Sequence, residues 1–563
     1  MPRAYLDNAT QGKARNHQRR GARQPSGLRN AALVQTLAAL LWIPQAALLS
    51  VAVGRIADGG GIDAVIWPAI VIALLGVLKS CLDAAGGRLA FRAARAELTL
   101  RRARVVEALA RRSPVDNTRQ TSGEAASIVG EQAELIVPYL ARFQPARFKA
   151  SAVPLVILAC VFPISWIAAL VLLFAMPLIP LFMALIGWRA QAASEKQLAA
   201  TGGLNGFLLD RLRGLATIRA LGAVDATATR LRADAEDLKT RTMAVLRIAV
   251  LSSAVLELFA ALGVAMVAVY IGFSLLGEIG FGAWTGGLEL TSGLFVLLLA
   301  PAFFEPLREL SAVWHDRASG EAAMTALDAL SQDGMLLPQG EPALGTLSTD
   351  IRFRAVTFRY PGSDASAVER YDLHIRAGEH VALLGPSGSG KSTLLALAAG
   401  LAPCQSGRVE IGGQPAGRAS RMRIAWIGQK PHIFAGAITR NVSLGRPQVS
   451  TQQAEAALDA AQLGRLKSAY RKRTLGDGGA GLSGGEALRL AMARAAVGPD
   501  TLIILADEPT AHLDRETADD ITERLLELAK GKTLLVATHD PRLAARIGRT
   551  IHLNPEPARE AAE

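Results

Sequence analysis

The residues best equipped for chemistry lie in the last third of the chain, where glycine, lysine, serine and adjacent carboxylates recur at spacings that suit a polyphosphate. Gly385-Pro386-Ser387-Gly388-Ser389-Gly390-Lys391-Ser392 follows the apolar run Val381 to Leu384 and opens the helical run Thr393 to Ala399. Glycines in such a loop let backbone N–H groups converge on phosphate oxygens at a helix N-terminus, the lysine neutralises the β- and γ-phosphates, and the Ser392 hydroxyl suits Mg²⁺. Without its flanks the string is an ordinary glycine-rich turn; the strand before it and the helix after it favour phosphate. Leu502 to Ala506 is a second apolar run, and it ends on Asp507 and Glu508. Asp507 is the expected Mg²⁺ ligand and Glu508 the group expected to polarise an attacking water. Either acid alone reads as a solvated strand end. The pair, downstream of a phosphate loop, reads as hydrolysis.

Leu482-Ser483-Gly484-Gly485-Glu486 precedes the helical run Ala487 to Ala496 and admits two readings. Ser483 with Glu486 is an S-x-x-E capping box. The string is also similar to the signature sequence of ATP-binding cassette (ABC) proteins, and its place just upstream of the Asp507 strand suits that resemblance. In that family the signature loop binds the γ-phosphate of a nucleotide held by the opposite subunit, so two nucleotide-binding domains close face to face around two ATP molecules. The same serine then caps its helix and touches ATP. The resemblance extends to Tyr360 in Phe358-Arg359-Tyr360-Pro361 as the aromatic stacked on adenine, and to Gln429 as the glutamine linking the Mg²⁺ site to the membrane domain. It also implies Asp514 as the acid of the following inter-subunit loop and His539 as the switch histidine on the γ-phosphate. Each of these alone reads as a core or solvated residue; their order carries the assignment. Glu486 departs from the family, where glutamine is commoner, and activity is expected to survive it.

These groups need a platform, and the composition says what else is attached to it. The chain has 563 residues, 50% hydrophobic and 20% charged, with a mean hydropathy of +0.26. That balance excludes a disordered chain and a small stapled scaffold, and fits several bilayer-length apolar runs beside a soluble part. The net charge of +12 fits either a nucleic-acid partner or the basic flanks of membrane spans. Seven Lys and Arg residues crowd the first thirty positions, against Arg55 alone between the runs Ala31 to Val53 and Ala64 to Leu82, so the tail is expected inside. Two further runs flank the uncharged turn Phe162-Pro163-Ile164-Ser165, and Ile248 to Leu276 and Leu288 to Phe304 flank an outer loop with no Lys or Arg. The expectation is six spans with both ends cytoplasmic. Cys81, Cys160 and Cys404 are far apart and lack zinc-type spacing, so neither disulfide nor structural metal is expected.

The reading is a multidomain membrane protein: a basic tail (1–30), a six-helix all-α transmembrane domain of ABC exporter type (31–330), a linker (331–349) and an α/β P-loop NTPase domain of ABC type (350–563). Six spans ahead of one cassette resemble a half-transporter, which must dimerise, with coupling helices expected near Ser113 to Gly123 and Gly206 to Gly222. Phe162-Pro163 through Pro177 to Leu185, Phe207 to Gly214 and Ala300-Pro301-Ala302-Phe303-Phe304-Glu305-Pro306-Leu307-Arg308 resemble the CydD-type half-transporters of the CydDC family. That resemblance implies a CydC-type partner subunit, a bacterial inner membrane, export of cysteine and glutathione as small anionic thiols, support of cytochrome assembly, and haem as a ligand or cargo.

On cargo the residues themselves leave alternatives open. Arg147 and Lys149, with Arg142 beyond them, fall in the third span and either face a wet cavity or snorkel to headgroups. Glu257 is a cavity acid or a partner for a neighbouring helix, and His315 a haem contact or a structural histidine. An exporter of lipid or drug keeps the same architecture. A soluble cassette ATPase acting on nucleic acid is the competing class, and the apolar spans speak against it.

Overall fold

The computed structural model describes residues 26–177, 207–208, 211, 214–284, 287–332, 334–339, 348–421, 423–469, 474–479, 481–498 and 500–553. The chain forms two compact units, one of residues 1–105 with 122–329 and one of 106–121 with 330–563.

The first unit is helical. Helices α1 (Ser26–Leu40) and α2 (Trp42–Ala57) form the first crossing, and α3 (Asp63–Arg111) the second. Helices α4 (Gln144–Val161) and α5 (Trp166–Pro177) flank the expected turn, and the rest of the fourth span lies outside the described residues. Helix α6 (Val224–Leu275), α7 (Leu290–Ala312) and α8 (Trp314–Leu330) complete it. Among the described residues, four helical stretches are long and apolar enough to cross a membrane: 27–57, 65–111, 257–275 and 290–330. The packing is that of a protein dissolved in lipid. Helix α4 lies on α1 and α7, and α7 lies on α2 and α6, around Ile157, Leu172, Leu299, Phe303 and Phe304. Gly263 lets α6 approach this centre, since a Cβ there would fall 2.6 Å from the Phe304 ring. Meanwhile Trp67, Ile70, Leu74, Val77 and Leu78 on α3 are exposed, an apolar outer surface that bilayer hydrocarbon or another helix covers at no hydrophobic cost. At the expected outer end, the Ser165 hydroxyl donates to Gly282 O (2.8 Å) and the Trp284 indole donates to Phe162 O (2.8 Å), joining the two outer turns.

The second unit is α/β. Strands β1 (Ile351–Phe358), β2 (Val368–Ile375), β4 (Ser406–Ile411) and β5 (Gln414–Pro415) make an antiparallel sheet in the order β2-β1-β4-β5. Strands β3 (His380–Leu384), β6 (Ile424–Ile427), β7 (Ile503–Asp507), β8 (Thr533–Thr538) and β9 (Arg549–His552) make a second sheet, parallel throughout, in the order β6-β7-β8-β3-β9. Its inner strands are largely apolar, as in a sheet covered on both faces, and every residue of β8 is buried, whereas the edge strand β9 is polar and partly exposed. The order seats β8, which sequence reading does not single out, between the two strands that carry the phosphate loop and the paired acids.

The turn after α3 is built into this unit. The Ser113 N–H donates to Met335 O (2.7 Å), and its hydroxyl donates to Leu401 O (2.5 Å) just beyond the helix that opens at Lys391. Asp116 is 4% exposed and accepts from Arg112 Nε (2.8 Å), Thr118 N (2.9 Å) and Met335 N (3.1 Å). Burial works to raise the Asp116 carboxyl, but hydrogen bonds from Thr118, Arg112 and Met335 outweigh it and hold the carboxyl at about 2.

A carboxylate held that low stabilises the turn fully above its unfolded value near 3.8, and the contribution is lost as pH falls through about 2. Asp116→Asn is therefore expected to lower stability at pH 7 by roughly 3 kcal/mol, the scale for breaking a buried charged pair. The wild-type and variant unfolding midpoints should converge as the pH is taken below about 4, and a constant gap across that range would remove Asp116 as the cause.

Candidate active site

In a parallel sheet every carboxyl end points the same way, and here three adjacent strands deliver the candidate groups to one edge. Strand β3 runs into the loop Gly385 to Gly390 and then α9 (Lys391–Ala398); β7 ends on Asp507; β8 ends just before His539. Gly388 and Gly390 have φ of 84° and 85°, a left-handed backbone that glycine adopts without strain. Gly385 has no room for a side chain, because a Cβ would lie 2.6 Å from Leu553 O and 2.8 Å from Ser389 Oγ. The Ser389 hydroxyl is buried and has no hydrogen-bond partner among the described residues, which suits a cradle whose polar atoms are aimed at a ligand.

Lys391 is 4% exposed, and its ammonium donates to Gly385 O and Pro386 O, both 2.8 Å, which holds it over its own loop. The Ser392 hydroxyl donates to Asp507 Oδ1 at 3.0 Å, so the two groups expected on Mg²⁺ share one point. Burial pushes the Asp507 carboxyl up, as does the adjacent Glu508 charge, while Ser392 and Lys391 pull it down. Glu508 stands 3.8 Å from Lys391 Nζ, and its second oxygen accepts from His539 Nδ1 at 2.9 Å. Its backbone φ of 48° is a left-handed conformation that costs a non-glycine residue free energy and recurs at functional positions. The Glu508 N–H donating to Ala537 O (2.8 Å) fixes that turn against β8.

The capping-box reading of the signature string holds in this geometry. Ser483 is the N-cap of α10 (Gly484–Ala496): its hydroxyl accepts from Glu486 N (3.3 Å), and Glu486 Oε2 accepts from Ser483 N (2.7 Å) and from the hydroxyl (2.9 Å). The loop stays exposed at Ser483 and Gly484, while Gly485 is buried against Thr517, 2.7 Å from where a Cβ would be. Asp514 caps α11 (Arg515–Leu528) by accepting from Thr517 N (3.0 Å), and hydrogen bonds from Thr517 lower its carboxyl. Tyr360 is half-buried, its hydroxyl 2.9 Å from Thr393 Oγ1 at the start of α9. Gln429, two residues beyond β6, is exposed, as is Ser387 in the phosphate loop.

The ionisable residues of the membrane unit separate. Arg147 is exposed, Arg142 pairs with Asp316 at 3.5 Å, and Glu257 pairs with Arg308 at 3.3 Å. Lys149 is buried and pairs with Glu309 at 2.5 Å beside a cavity of about 800 Å³. His315 is exposed and does not line that cavity. Lys79, Asp83, Glu305 and Glu309 do line it, and sequence reading did not single them out. A single charge inside an apolar run was the available signal. Of the two expected coupling segments, Ser113 to Gly123 contains the turn held at Leu401, whereas Gly206 to Gly222 is described only in part and includes a short helix, Leu215–Ala220.

The family described as ABC transporter transmembrane region matches residues 28–299, and the ABC transporter family matches residues 368–511. The chain is 37% identical to the glutathione/L-cysteine transport system ATP-binding/permease protein CydD of Haemophilus influenzae, over 76% of this chain and 73% of that one. It is 36% identical to the Escherichia coli protein of the same description (85% and 82%), and 31% identical to Bacillus subtilis CydC (90% and 88%). The fold is also that of a bacterial Atm1-family ABC exporter with ATP bound, with a TM-score of 0.73 over 94% of each chain at 22% identity.

Gly385→Ala is expected to force the loop away from Leu553 and so to weaken binding of a fluorescent ATP analogue at least about tenfold. An unchanged affinity in an equilibrium titration would show that the loop does not depend on this close approach.

Proposed function

This chain belongs to the ATP-binding cassette transporters, and among them to the CydD-type ATP-binding/permease proteins; from that premise we propose that it exports L-cysteine and glutathione as one half of a heterodimer with a CydC-type subunit. It is a multi-pass membrane protein that hydrolyses ATP. The proposal adds the cargo, the partner, the bacterial inner membrane with both ends inside, and the residue roles. Its cargo rests on the names of the relatives; the seven basic residues before the first span support the orientation.

The observation that carries the catalytic roles is the convergence of Lys391, Ser392, Asp507, Glu508 and His539 at one sheet edge. Pro386 has no backbone N–H, so the cradle of donors runs through Ser387 to Thr393, with glycines giving the turn. Lys391 neutralises the β- and γ-phosphates. Ser392 and Asp507 would hold Mg²⁺, whose charge offsets that of the phosphates, and Gln429, in the loop after β6, would join them. Tyr360 stacks on adenine. Glu508 takes the proton side of the attacking water, and His539, holding the other oxygen of that carboxylate, aims it and turns toward the γ-phosphate. Ser483, Gly484, Gly485 and Glu486 serve the nucleotide of the opposite subunit, where the N-terminus of α10 faces negative charge. Hydrolysis thus requires two clasped chains, which ties the chemistry to movement of the helices.

Lys391→Ala should weaken nucleotide binding at least about tenfold, and Glu508→Gln should keep binding but slow turnover by two orders of magnitude or more. Both are read on the purified heterodimer by nucleotide titration and phosphate release. Near-wild-type turnover in both variants would contradict the assigned roles. Labelled glutathione and cysteine should enter inverted vesicles containing both subunits in an ATP-dependent way; uptake of haem without either thiol would replace the cargo.

A further inference from the structure

The cavity in the first unit lies among α1, α2, α3, α4, α6 and α7 and has a volume of about 800 Å³. Most of its wall is apolar, yet among the described residues it presents five ionisable groups. Lys79 and Asp83 sit one turn apart on α3, Lys149 on α4, and Glu305 and Glu309 one turn apart on α7. The cavity is therefore amphoteric, with two ammonium groups and three carboxylates facing one space.

These groups are unequally committed. Lys149, 8% exposed, is bound to Glu309 at 2.5 Å, a pairing that a cation removed from water requires. Lys79 stands 5.5 Å from the centre of the Trp42 ring and makes no ion pair among the described residues. An aromatic face steadies an ammonium without using its N–H donors, so those donors remain open to a ligand. Asp83 is exposed one turn along the same helix, and Glu305, which lines the same cavity, lies 3.7 Å from Arg308.

We propose that this cavity receives the transported molecule and recognises its zwitterionic ends rather than its sulfur: Lys79 takes a carboxylate, and Asp83 with Glu305 takes the α-ammonium. The inference rests on the reading of the chain as a thiol exporter and names the part of the thiol that is read. Cysteine and glutathione each carry an α-ammonium beside an α-carboxylate, and glutathione a second carboxylate. Discrimination by charge is strong in a site with an apolar wall, because a ligand lacking one end leaves a cavity charge unpaired. Among the described residues no cysteine, methionine or histidine lines the cavity, so these residues offer no soft or redox-active partner to a thiol. A dianion with no ammonium meets three carboxylates and leaves two of them uncompensated.

The test uses the complete heterodimer in inverted vesicles, with labelled glutathione uptake as the readout. The tripeptide in which a methyl group replaces the thiol should compete as well as glutathione itself, and glutathione diethyl ester should compete at least about tenfold less well. Lys79→Gln and Asp83→Asn should each raise KM for uptake about tenfold, and Lys79→Arg should recover most of the loss. These positions are not in the packed core, so the variants are expected to fold. Absence of thiol uptake by the wild-type heterodimer overturns the exporter reading and the site with it. Wild-type uptake that is insensitive to the thiol-free tripeptide, or unchanged KM in both variants, overturns the site alone.

Discussion

The constraint on which the rest depends is the carboxyl edge of a parallel sheet. Strand ends there carry converging backbone N–H groups and few internal partners, so charge brought to that edge must be held by neighbouring strands. Ser392 on Asp507 and His539 on Glu508 are those holds, and both join residues more than thirty positions apart. Lys391, buried beneath its own loop, supplies the cation that makes two adjacent carboxylates tolerable. Phosphate chemistry is the use that fits such an arrangement: a positive cradle, a metal-binding corner and a carboxylate aimed outward.

The same unit also fixes the turn that follows α3. The helix that opens in the phosphate loop ends near Leu401, and the carbonyl of Leu401 is where the Ser113 hydroxyl binds. Asp116 locks this turn with Arg112, Thr118 and Met335.

The membrane unit follows opposite solvent rules. Its large apolar residues face outward along α3 while Lys149 is buried in an ion pair, because hydrocarbon penalises an unpaired ammonium far more than it penalises an exposed leucine. Lys149 with Glu309 and Glu257 with Arg308 are the outcomes of that rule. Lys79 and Asp83 are the cavity charges that make no ion pair among the described residues, and a zwitterion would complete them.

The sequence by itself determined the two kinds of unit, the phosphate loop, the paired acids and the signature string, because each is a local pattern whose meaning depends on neighbours within ten residues. The capping box at Ser483 and Glu486 was legible for the same reason. Only the tertiary structure decided that β8 separates β7 from β3 and so brings His539 to Glu508, since strand order depends on long-range pairing that leaves little trace in any one segment. It alone divided the membrane charges as well. Lys149 and Glu257 found partners on α7, whereas Lys79 and Asp83 came to face a common cavity, because which side of a helix meets its neighbour is set by packing across spans and not by the hydropathy of either one.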